Sequence, residues 1–75
     1  MRPIAIVPRP GHENRAELRD AMACLLKAGI NACSATMGQD FALVWIDDEN
    51  ILNSIETLRI AGLQATVLTE NDVPH

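Results

Sequence analysis

The chain has 75 residues, of which 48% are hydrophobic, 3% aromatic and 21% charged, and its formal net charge is −4. That length makes one domain, residues 1–75, with a small core, because so short a chain buries only about 60% of the surface it exposes when unfolded. Acidity and scarce rings argue against nucleic-acid binding, and no apolar run reaches the roughly 18 residues of a membrane span.

Met1-Arg2-Pro3 leads into an apolar run with no signal-peptide pattern. Two cysteines, Cys24 and Cys33, are too few for a disulfide framework. They are expected to be small buried apolar residues, as suits a reducing, cytoplasmic location.

Residues 4–7 (Ile-Ala-Ile-Val) between Pro3 and Pro8 predict a buried first strand. Pro8-Arg9-Pro10-Gly11 breaks it, and a loop carries His12 and Glu13. Asn14 is the expected N-cap of a helix, with Glu17 three residues on completing a capping box. Leu18, Ala21, Met22, Leu25 and Ala28 recur on one helical face, with Arg15, Arg19 and Lys27 mostly off it. Gly29 suits the left-handed position that ends a helix, and Ile30 supplies the apolar contact beyond it.

A weaker strand is expected over residues 30–37, a turn at Gly38-Gln39-Asp40, and a strong strand over 41–46 (Phe-Ala-Leu-Val-Trp-Ile). The glycine-led turn predicts a hairpin between them. Asp47 or Asp48 is the expected cap of a second helix with Ile51, Ile55, Leu58 and, in a less regular position, Leu52 inside. Gly62 ends that helix, 33 positions after Gly29. A last strand is expected over 63–69, with Ala65 and Val67 alternating against Thr66 and Leu68, and residues 70–75 as a frayed end.

The order is βαββαβ. Two right-handed βαβ units interleave into an α+β, ferredoxin-like sandwich: a four-stranded antiparallel sheet with two helices on one face. The strand over 41–46 is apolar on both sides, although the helices can cover only one. Self-association through the open face, an edge, or both is expected. The alternative is a monomer exposing a few aliphatics.

At Glu13-Asn14-Arg15-Ala16-Glu17-Leu18, followed by a helix and Gly29-Ile30-Asn31, the chain resembles ACT domains, whose signature is D-x-P-G-x-L, a helix, then G-[IV]-N. Residues 42–48 are similar to the family's third strand running into its second helix. Two departures are visible. Arg15-Ala16 stands where the family has Pro-Gly, and Pro10-Gly11 lies five residues earlier. The resemblance implies a regulatory domain that binds a small effector, most often an amino acid, between protomers of a homodimer or higher homo-oligomer. The effector site it implies comprises Gly11, His12, Glu13, Asn14, Arg15 and Ala16 at the helix N-terminus, with Ile30 and Asn31 from a neighbouring subunit. A helix N-terminus suits a carboxylate.

Each of these residues has a plainer reading: Asn14 as a cap, Asn31 as a strand-end amide, His12 as a solvated loop residue and Arg15 as a solvated cation. No cofactor, metal site or catalytic residue is expected. His12 and His75 form no metal constellation, and no Ser or Cys is placed beside His12 by sequence. Acylphosphatases, heavy-metal carriers and RNA-recognition domains share the fold. This chain lacks their glycine-rich arginine loop, Met-x-Cys-x-x-Cys and strand aromatics respectively. The reading from a different class is a ligand-free oligomerisation or protein-interaction module.

Overall fold

The computed structural model describes residues 1–68. Its elements are β1 (Arg2–Val7), α1 (Asn14–Lys27), β2 (Ser34–Met37), β3 (Ala42–Ile46), a 3₁₀ turn (Asp48–Asn50), α2 (Ile51–Ile60) and β4 (Gln64–Val67). The sheet order is β2-β3-β1-β4, antiparallel throughout, and both helices pack on one face. This is the ferredoxin-like α+β fold.

The core lies between sheet and helices. Ile4 and Ile6 of β1, Ala42, Val44 and Ile46 of β3, and Ala65 of β4 face Ala21 and Leu25 of α1 and Ile51 and Leu58 of α2. Period-2 alternation on the strands and the 3.6-residue stripe on the helices select these residues.

Both helices end in the same way. After Ala28, the Gly29 N–H donates to the Leu26 carbonyl and the Ile30 N–H to the Leu25 carbonyl. After Ala61, the Gly62 N–H donates to Arg59 and the Leu63 N–H to Leu58. These are two Schellman motifs, with Gly29 at φ 79° and Gly62 at φ 88° in the left-handed region. Ile30 and Leu63 are buried as the apolar contacts beyond them.

Several expectations are corrected. Glu13, not Asn14, is the N-cap of α1, no side chain caps the helix, and Asn14 opens it. Ala28 is exposed, off the apolar face. β2 starts at Ser34 rather than residue 30, and β3 at Ala42 rather than Phe41. Asp47 precedes a 3₁₀ turn, not α2 itself, again with no side-chain cap. On α2, Ile51 and Leu58 are buried with Ile55 packed against the core, as expected; Ser54 is buried with them, while Leu52 is 83% exposed. Cys33 is exposed, not buried; Cys24 is half-buried and packs against the core. β4 ends at Val67, and Thr69 with residues 70–75 lies outside the described residues.

The sheet face opposite the helices is apolar at several positions. Ala5 lies opposite Leu43 and Thr66, Pro3 opposite Trp45, and Thr36 opposite Leu43. Ala5 and Leu43 retain only 5% and 8% exposure although no helix covers them.

Candidate functional site

The loop from β1 to α1 is organised by a carboxylate that the sequence analysis placed in a capping box. Glu17 has no solvent exposure. Its Oε2 accepts from Arg9 Nε at 3.1 Å and its Oε1 from Arg9 Nη2 at 2.9 Å. The Arg9 backbone N–H adds a bond to Oε2 at 3.3 Å, and His12 Nδ1 lies 3.3 Å from Oε1. The forked guanidinium matches both carboxylate oxygens.

This hydrogen bonding from Arg9 is the main reason Glu17 titrates below its usual 4.5; burial opposes it, and Arg9 and His12 add charge attraction. The same pairing raises the Arg9 guanidinium further. The loop is thereby tied to the first turn of α1 through side chains eight and five positions before Glu17. His12 is exposed, as expected of a loop residue, with its Nδ1 beside the carboxylate.

Asn14 does something different from capping. Its Nδ2 donates to the Gly38 carbonyl at 2.8 Å, 24 positions away. The bond fastens the start of α1 to the end of β2. Gly38 is needed there for space, since a Cβ would sit 2.9 Å from the Phe41 carbonyl oxygen. The Gly38 N–H closes the hairpin on that same oxygen.

The expected site residues fall into two groups. Gly11, His12, Glu13, Asn14, Arg15 and Ala16 gather at the N-terminus of α1. Gly11 is in the left-handed region, and Gly11, Glu13 and Arg15 are exposed. Ile30 and Asn31 follow the other end of the fourteen-residue helix, roughly 20 Å away at 1.5 Å per residue. Ile30 is buried in the core and Asn31 exposed. One protomer does not bring the two groups together.

Sequence reasoning missed Arg9 and Glu17 as a pair. The signal was a carboxylate at helical position 17 adjoining the apolar face, with an arginine in the preceding loop. It also missed the contact of Cys33 Sγ with Asp47 Oδ1 at 3.5 Å. Local desolvation first, then the Asp47 carboxylate, pushes that thiol up. A group of three or more potential metal ligands does not occur among the described residues. No helix among them is long and apolar enough to cross a membrane.

No protein-family model matches this sequence, and comparison with curated proteins and with solved structures returns no significant similarity.

Proposed function

We propose that this chain is a non-catalytic regulatory module of ACT-like type, which self-associates and takes a small amino-acid-like effector at the interface. The observation that carries the reading is the bond between Asn14 and the Gly38 carbonyl. It fastens the N-terminus of α1 to the C-terminal end of β2, an edge strand exposed along its whole length. β2 carries no charge and no proline, the usual guards of an edge. The opposite edge, β4, has the Arg59 guanidinium donating to its Ala65 carbonyl.

Antiparallel pairing of two β2 strands about a dyad would carry Asn31 of the partner subunit towards Met37 and Gly38, beside Asn14. The two separated groups would then share one site. The free N–H groups of the first helical turn and exposed Arg15 suit a carboxylate there.

A second reading is a ligand-free self-association module. It is favoured by Arg9 and Glu17, whose charged groups are already paired with each other.

Light scattering of the wild type and of Ala35→Lys on the β2 edge tests self-association. A dimer that the substitution converts to monomer supports it; a wild-type monomer at micromolar concentration sinks both readings. A thermal-shift screen against the twenty amino acids separates them. A ligand at a hundredfold excess over its dissociation constant adds about 2.7 kcal/mol. A flat screen at millimolar ligand rejects the effector.

A further inference from the structure

A cavity of about 310 Å³ opens at the tip of the β2–β3 hairpin, lined by Thr36, Gly38, Gln39, Asp40, Phe41 and Leu43. Thr36 and Leu43 are cross-strand partners on the sheet face that carries no helix. The cavity adjoins, at Gly38, the junction where Asn14 meets the hairpin. Its size falls at the lower end of small-molecule pockets, which run roughly 300–1,000 Å³.

The lining has the division of labour such pockets show. Leu43 and Phe41 are the apolar members of the lining. Asp40 is the sole charged group in the lining, and none of the ion pairs among the described residues uses it. Thr36 and Gln39 bring neutral side-chain acceptors. Complementary charge in an occupant is therefore positive. An ammonium has three N–H donors, enough for one carboxylate and two neutral oxygens. Its hydrocarbon arm would lie on Leu43 and against Phe41, where a cation near the ring face gains a further attraction.

We infer that the hairpin tip is a binding site for a small primary ammonium carrying a short apolar arm. The inference does not rest on the effector reading, which concerns the junction of α1 with the β2 edge, although Gly38 borders both.

Benzylamine is the probe, followed by backbone amide chemical shifts of the full chain. Saturable shifts confined to residues 36–43 are expected, with millimolar affinity. Benzyl alcohol, equal in shape and uncharged, should bind about fivefold more weakly, the worth of one exposed ion pair. Asp40→Asn should lose a similar factor, and raised salt should weaken benzylamine but not benzyl alcohol. No saturation by roughly 20 mM, or benzyl alcohol binding as well as benzylamine, overturns the site. So does Asp40→Asn with unchanged affinity. The alcohol and salt comparisons use wild-type protein, so they decide the matter even if the variant folds poorly.

Discussion

Replacing each member of the Arg9–Glu17 pair in turn tests how the β1–α1 loop is held. Glu17→Gln keeps shape and removes charge. The amide can accept one bond from Arg9 but presents N–H to the other, so half of the fork is lost. Arg9 has 31% side-chain exposure and can turn to water. The loss should fall below the 3–5 kcal/mol typical of breaking a fully buried pair, at about 2 kcal/mol. For a domain of this size that lowers Tm by about 8–16 °C. Arg9→Met is the harsher change, because it strands the Glu17 carboxylate without solvent and with His12 alone beside it.

The pH dependence then separates the variants by sign. In the wild type Glu17 titrates below its unfolded value of 4.5. Its contribution is complete above that pH and is lost as pH falls through the lower folded value. In Arg9→Met burial without its main partner raises the carboxyl instead, so stability should fall as pH rises through that raised value. Urea unfolding followed by helical circular dichroism at several pH values measures both. Two results would refute the reasoning: Glu17→Gln within 2 °C of wild type, or Arg9→Met no less stable than Glu17→Gln and without the reversed slope.

Leu52→Ala should change unfolding free energy by less than about 0.5 kcal/mol, whereas Leu58→Ala should cost about 2–5 kcal/mol, as urea melts will show. Gly29→Ala meets open space, so its cost is conformational alone, about 1–2 kcal/mol. Gly62→Ala should match it in the same assay, since its Cβ would meet Arg9 Nη1 at an ordinary 3.6 Å. Asp47→Asn removes the carboxylate that raises the Cys33 thiol, so Cys33 should alkylate faster with iodoacetamide near neutral pH. An unchanged rate, read in a Cys24→Ser background, would deny Asp47 that role.

What was legible in the sequence was what short-range patterns encode. Each Schellman motif needs one glycine and one apolar residue within six positions, so Gly29-Ile30 and Gly62-Leu63 announced both helix ends. Alternation around Val44 and the stripe through Ala21 and Leu25 gave the layers. Glu17 was misread because its decisive partner sits eight residues back in a loop, while a plausible local partner stood three residues away. Asn14 was misread for the same reason, its partner being the Gly38 carbonyl across the fold. Leu52 was misplaced because it lies about 100° round the helix from Ile51, off the face that Ile51, Ile55 and Leu58 share. The two-sided strand was read correctly: Val44 is buried on the helix side of the sheet and Leu43 on the other.

The same geometry bears on how the two functional readings divide. Arg15-Ala16 stand in the first turn of α1, and the loop's glycine with positive φ is Gly11. The helix start is held by a side-chain anchor. Arg9, His12 and Glu17 hold the loop, and Asn14 holds the helix start against the hairpin. A loop fixed in this way loses little further entropy on binding, which favours any ligand that fits its existing shape and disfavours one requiring rearrangement. Loosening the anchor in Glu17→Gln should therefore weaken an effector that docks on the rigid loop. A module whose only partner is β2 of a second copy would lose thermal stability and keep its dimer affinity, because β2 is joined to the loop solely through Asn14 in the hydrogen bonds described. Measuring dimer dissociation and amino-acid affinity on one variant thus distinguishes a loop that serves a ligand from one that only completes the fold.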